Sequence, residues 1–154
     1  MEKAKKCLEL NSDESETVSR VAIPALQIGK SSFYEAFALR GILVERVEPG
    51  VVLCSFKDRD GKLANGAIAN LVDIVGASVA YIPGLPMNVS VDISVSYVST
   101  AKLHDELEIT SRVLGRTGGY CGTMVIFRNK ATGEIIAEGR HSLFRSKAGP
   151  VSKL

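Results

Sequence analysis

The chain has 154 residues, about the length of one domain and enough to bury a single hydrophobic core. Hydrophobic residues make up 45% and charged residues 23%, which excludes wholesale disorder, and a net charge of +2 from interspersed Lys, Arg, Asp and Glu sets up no strong field for nucleic acid. The longest apolar run, between Ala67 and Pro83, is broken by Asn70 and Asp73 and is too short to span a bilayer, and Met1 to Asp13 lacks the apolar core of a secretory signal.

In chain order, Ser12 or Asp13 is placed to cap a short helix that reaches about Val21 before Pro24 stops it. Ser31 and Ser32 precede a second helical stretch, Phe33 to Arg40, which Gly41 ends. Two β-rich runs follow, Ile42–Val47 and Val51–Lys57, joined through Glu48-Pro49-Gly50 as a hairpin turn. Asp58 to Ala64 is polar and loop-like. Gly66 to Tyr81 has the period of a helix, with Gly66, Ala69, Asp73, Gly76, Ala77 and Ala80 near one stripe that would let a sheet approach closely. Beyond the turn at Pro83-Gly84 come four β-patterned segments: Met87–Val98, Leu107–Leu114, Tyr120–Asn129 and Ile135–Phe144. In the first of them Val89, Val91, Ile93, Val95 and Tyr97 alternate with Ser90, Asp92, Ser94 and Ser96. Arg116–Gly119 and Lys130–Gly133 read as hairpin turns.

That order of helix, hairpin, central helix and antiparallel meander predicts a two-layer α+β fold. The expected organisation is an N-terminal extension over residues 1–30, one domain over 31–147 and a flexible tail over 148–154. One helix covers one face of a sheet, so the other face or an edge strand is expected to meet another subunit.

Asp73 is the most informative residue for chemistry. Its neighbours Leu71, Val72, Ile74 and Val75 are apolar, so its carboxylate must be paired, exposed at an interface or functional. The plain alternative is a structural Asp bonded to Asn70 or to a backbone amide. Asn65-Gly66 opens the same helix, where unpaired N–H groups and the positive end of the dipole suit an oxyanion; ordinary capping by Asn65 is the plain alternative there. Asp73 lies about two turns further on, roughly 10–12 Å along the axis, and so suits a helix start in a partner subunit better than its own. Gly115 to Gly119 lacks the Gly-Lys-Ser/Thr ending of a phosphate loop. His104 and His141 show no metal-ligand spacing, so no metal is expected. Cys7, Cys54 and Cys121 are odd in number and without CxxC spacing, which points to reduced thiols. Cys121 with His141 would make a nucleophile and base on paper, but a small core cysteine fits an alternating strand better. Ser152-Lys153-Leu154 at a chain end is a receptor-read peroxisomal address, and Ala148-Gly149-Pro150 before it would leave it exposed.

Leu63 to Asp73 resembles the helix-entry motif of hotdog-fold acyl-CoA thioesterases, which usually reads Leu-His-Gly-Gly and ends in Leu-Val-Asp. Val89-Ser90-Val91-Asp92 with Tyr97 to Lys102, and Asn129 to Gly133 with Ala137 to His141, resemble that family's later strand and last hairpin, so the likeness runs from about Phe33 to Phe144. It is closest to the small eukaryotic enzymes acting on medium- and long-chain acyl-CoA. The resemblance implies a hotdog fold, a long antiparallel sheet wrapped around one central helix. It also implies a homodimer or homotetramer with sites at subunit interfaces, and hydrolysis of fatty or aromatic acyl-CoA to free acid and CoA. No separate cofactor is implied, coenzyme A being part of the substrate. By matching position, Asp73 would attack the thioester or activate water, the N–H of Asn65 assisted by Gly66 would face the oxyanion, and Ser90 would orient Asp73 or the water. Tyr97, Val98, Ser99, Thr100, Ala101 and Lys102, with Gly115, Arg116, Thr117, Gly118, Gly119 and Tyr120, would hold the CoA portion, Arg116 as its cation.

Three departures from the family pattern stand out. Its His is Ala64 here, its first Gly is Asn65, and the loop between Phe56 and Leu63 is several residues shorter, which brings Asp58 to the position of a family Asn or Gln. Asp58 would put a second anion near Asp73. The alternative function is therefore a catalytically weakened hotdog protein that binds acyl-CoA without efficient turnover. A hotdog dehydratase or isomerase would need a His at the helix start, which Ala64 and Asn65 do not supply. The expected location is the peroxisome, through an import receptor that reads Ser152–Leu154, with the cytoplasm as the alternative.

Overall fold

Segments rich in β-branched, aromatic and other apolar residues, strictly alternating in Val89–Tyr97, build six strands in the computed structural model, which describes residues 12, 13, 16, 39–57 and 65–145. The chain divides into two units, Met1–Ala36 and Phe37–Leu154, and all the elements below belong to the second. The predicted helix from Phe33, the loop with Asp58 and the tail with Ser152–Leu154 lie outside the described residues, except that Leu39 to Gly41 form a turn with Gly41 at φ +96°.

The elements are β1 (Ile42–Glu48), β2 (Val51–Lys57), α1 (Asn65–Ala80), β3 (Val89–Tyr97), β4 (Glu106–Thr117), β5 (Tyr120–Asn129) and β6 (Ile135–Phe144). The strands form one sheet in the order β1-β2-β4-β5-β6-β3, every neighbouring pair antiparallel. α1 lies against one face. Its buried residues Ile68, Leu71, Val72, Val75, Gly76, Val79 and Ala80 recur at helical spacing. Ile68, Leu71, Val72, Val75 and Val79 meet Val52, Cys54, Phe56, Leu107, Ile109, Val125, Phe127, Ile136 and Ala137 from the sheet, and Ala80 packs with Cys121 and Leu143. Each large apolar side chain sealed there contributes about 1.5–3 kcal/mol. One long helix packed against a six-stranded antiparallel sheet is the hotdog architecture expected from the resemblance.

Two expectations are corrected. The small-residue stripe does not face the sheet as a whole: Gly76 and Ala80 are buried, whereas Gly66 is exposed and Ala69, Asp73 and Ala77 sit at the margin. The helix turns its Ile, Leu and Val side chains inward because burying them removes more apolar area from water. Close approach rests instead on two glycines. A Cβ on Gly139 of β6 would stand 2.4 Å from Val72 Cγ2, and one on Gly76 would stand 3.0 Å from His141 Nδ1. The second correction concerns the last four strands, which are not a simple meander. β4, β5 and β6 run as one, but β3 crosses to the far edge and pairs with β6. Tyr97 and Glu106 are separated by Val98 to Asp105, a connection that can reach well beyond the ~14 Å of three strand spacings. The β4–β5 turn is also tighter than predicted: Arg116 and Thr117 belong to β4, and Gly118 and Gly119 alone make the turn.

Candidate active site

Strict alternation along β3 would send Ser90 to the face away from the helix. A β-bulge reverses this. Ser90 pairs with Leu143 and Ile93 with His141, so three residues of β3 oppose two of β6, with the irregularity between Ser90 and Asp92. Leu143 and His141 both point inward on β6, and the extra residue therefore turns Ser90 toward α1.

There the Ser90 hydroxyl donates to Asp73 Oδ1 at 3.0 Å. His141 Nε2 lies 2.9 Å from Ser90 Oγ and 3.4 Å from Asp73 Oδ1. Ser90 has one proton and gives it to Asp73, so its oxygen accepts from His141, which assigns the ring proton to Nε2. His141 Nδ1 has no partner among the described residues, in keeping with that tautomer. The imidazole side chain is fully buried, and burial pushes its pKa down against the opposing pull of Asp73 and Asp92, so the ring is neutral near pH 7. Gly76, one turn beyond Asp73 on α1, leaves the space the ring occupies. The Asp73 side chain is 48% exposed. The result is a carboxylate open to solvent, oriented from beneath by a hydroxyl that a buried imidazole holds.

Sequence reasoning set His141 aside as a solitary histidine. The signal that finds it is register: Ala137, Gly139, His141 and Leu143 share the inward face of β6, opposite the helix that carries Asp73. Cys121 is not part of the cluster. It packs with Ala80 and Leu143, and burial pushes its thiol pKa up, the opposite of what a nucleophile needs. His104 stands in a turn at φ 68°.

Asn65 and Gly66 open α1 as expected, about 12 Å from Asp73 by the helical rise. The Tyr97 hydroxyl donates to the Asn65 carbonyl at 3.0 Å. At the other end, Arg116 Nη2 donates to the carbonyl of Ala80 at 3.0 Å, so its guanidinium closes the helix terminus. The two groups of residues assigned to CoA thus sit at opposite ends of α1, about 22 Å apart, and one chain does not bring them together. Within the first group, the Ala101 side chain is buried in the core. The N–H groups of Val98 and Ser99 both go to the Ile136 carbonyl, at 2.9 and 3.0 Å, and Ser99 Oγ donates to Glu134. Thr100 and Lys102 are exposed. In the hairpin, the hydroxyls of Tyr120 and Ser142 lie 2.7 Å apart, and Gly119 backs onto the Arg145 carbonyl, leaving no room for a side chain.

The fold and the solvent-facing Asp73 match what the resemblance implied for a thioester hydrolase, and the class itself comes from comparison with known proteins. Residues 60–126 match the family model described as Thioesterase superfamily. Human acyl-coenzyme A thioesterase 13 is 39% identical over 102 residues, which is 61% of this chain and 72% of that protein. The crystal structure of zebra fish thioesterase superfamily member 2 superposes with a TM-score of 0.69 at 28% identity, covering 90% of this chain and 100% of that one. Thioesterase superfamily member 2 from Mus musculus gives a TM-score of 0.66 at 29% identity over 71% of this chain and 85% of that one. The chain belongs to the thioesterase superfamily and is a thioester hydrolase of the hotdog type.

Proposed function

We propose that the chain hydrolyses acyl-CoA thioesters with medium- or long-chain fatty or aromatic acyl groups, releasing the free acid and CoA. The observation that carries this reading is the half-exposed Asp73 carboxylate, oriented by Ser90 and, through it, by buried His141. The name of the 39% identical human relative supports a CoA thioester as substrate, and the acyl class follows the resemblance of the helix-entry motif.

In this reading water attacks the carbonyl carbon and passes its proton to Asp73, a base whose placement is worth about 10²–10⁴ in rate. Negative charge gathers on the carbonyl oxygen, where the Asn65 and Gly66 N–H groups at a helix start receive it. Collapse breaks the C–S bond, and the leaving thiolate takes the proton back from Asp73. The ~12 Å between Asp73 and its own helix start means the two halves come from different copies, so the working unit is a homodimer or a homotetramer. β3 supports this: it is an edge strand whose Val89 and Val91 are 63% and 62% exposed. Exposed Thr100 and Lys102 hold the CoA portion in this scheme. Peroxisomal import through Ser152–Leu154 belongs to the same proposal, and a fusion bearing that tail which stays outside peroxisomes refutes it.

The deciding experiment is thiol release from short, medium, long and aromatic acyl-CoAs, with Asp73→Asn in parallel and oligomeric state checked by light scattering. Turnover on one class, lost by at least 10²-fold in an Asp73→Asn oligomer of unchanged size, is the expected result. Undiminished turnover in Asp73→Asn sinks the role of Asp73. Binding of acyl-CoA without turnover by the parent chain replaces the hydrolase reading with the non-catalytic binder.

A further inference from the structure

The peptide between Asn65 and Gly66 has two ends: its N–H belongs to the helix start, and its carbonyl accepts the Tyr97 hydroxyl at 3.0 Å. We propose that Tyr97 is a positioning residue for the oxyanion donors, acting through this peptide rather than by touching CoA. This rests on the reading of Asn65 and Gly66 as those donors.

Two physical effects point the same way. A donor on the carbonyl polarises the amide and makes its N–H a stronger hydrogen-bond donor, more so where water is excluded. The same bond also fixes residue 65 in place. The first turn of α1 has no acidic side chain, and nothing lies within 4 Å of a Cβ placed on Gly66. Among the described residues Tyr97 makes the one side-chain hydrogen bond to that turn. Without it the terminus is free to fray, whereas donors that stabilise a transition state must be held to within about 0.5 Å. β3 therefore carries a group for each end of the chemistry: Ser90 near its start orients Asp73, and Tyr97 at its end fastens Asn65.

The test uses the full chain and the acyl-CoA turned over best in the panel. Tyr97→Phe keeps the ring and removes the hydroxyl. The expected result is a fall in kcat of about 3- to 10-fold, the worth of one hydrogen bond, with KM and the inhibition constant for free CoA changed less than about twofold. Replacing Tyr97 by 3-fluorotyrosine, whose hydroxyl is more acidic, is expected to raise kcat above that of the parent. A rise in KM and in the CoA inhibition constant at constant kcat overturns the proposal in favour of a CoA contact, and so does an unchanged kcat in Tyr97→Phe. Asn65→Pro separates this from failure of the underlying reading. It deletes one donor at a helix position that accepts proline, and a fall of about 10²-fold in kcat upholds the donors. If Asn65→Pro costs nothing, the donor reading fails and the role of Tyr97 with it. If Asn65→Pro lowers kcat and Tyr97→Phe does not, only the proposal about Tyr97 is lost. The fluorotyrosine series decides the matter if Asn65→Pro does not fold, with a kcat indifferent to hydroxyl acidity counting against the proposal.

Discussion

Strands β5 and β3 both read as strands in the sequence, β3 by alternating Val, Ile and Tyr with Ser and Asp and β5 by a run from Met124 to Phe127, and they end up as opposites. β5 lies inside the sheet between β4 and β6, and its alternation holds without a break. Cys121, Thr123, Val125, Phe127 and Asn129 are buried, and the residues between them are less so. β3 lies at the edge, has no fully buried residue, and is interrupted by a bulge. The interior strand spends its pattern on packing, and the register shifts beside it fall on its neighbours, at Leu114 of β4 and Ile136 of β6. The edge strand has one free side, so it can absorb an extra residue at low cost and turn a serine toward chemistry.

Removing what the bulge delivers is the most direct attack on that contrast. Ser90→Ala takes away the hydroxyl that donates to Asp73 and leaves the pairing with β6 as it is. We expect thiol release to fall by about 10²-fold, within the usual worth of an organised base, in a variant of unchanged size by light scattering. Full activity in Ser90→Ala would mean that the inward turn of Ser90 does not serve the chemistry.

The interior is expected to respond in stability rather than rate. Gly139→Ala on β6 places a Cβ 2.4 Å from Val72 Cγ2, and overpacking of this kind costs about 1–3 kcal/mol. Gly66→Ala, where nothing lies within 4 Å, serves as the control and should stay within about 0.5 kcal/mol. Urea unfolding of the two variants checks this, and equal effects would contradict the close approach of β6 to the helix.

The smallest expected effect sharpens the view of the base of the site. Burial lowers the pKa of His141 in the fold, whereas in the unfolded chain the ring titrates near its usual value of about 6.5. Below that pH the unfolded chain binds more protons than the folded one, so stability is full at neutral pH and declines as pH falls. Urea unfolding at pH 7.5 and pH 5.0 should show a loss in the parent chain that is reduced in His141→Gln. Identical losses in the two proteins would show that His141 does not carry this pH dependence.

Much of this protein was legible in its residues because the information was local. The helical period from Gly66, the strand pattern of β1, β2, β5 and β6, and the turns at Pro49-Gly50 and Lys130–Gly133 follow from side-chain periodicity and backbone preference, and the observed boundaries differ by no more than a few residues. An acid among Leu71, Val72, Ile74 and Val75 singled out Asp73 for the same reason, since a carboxylate amid apolar neighbours must have an explanation. Tertiary structure decided the rest because those features depend on which strand lies beside which. The crossing of β3 to β6 is a choice between two antiparallel neighbours that local pattern does not distinguish. It is that choice, with the bulge, that brings Ser90 to Asp73 and sets His141 beneath both. Arg116 capping Ala80, Tyr97 holding Asn65 and Ala101 turning into the core are likewise consequences of strand order, because the first two contacts join residues 36 and 32 positions apart and the third depends on the core that such contacts build.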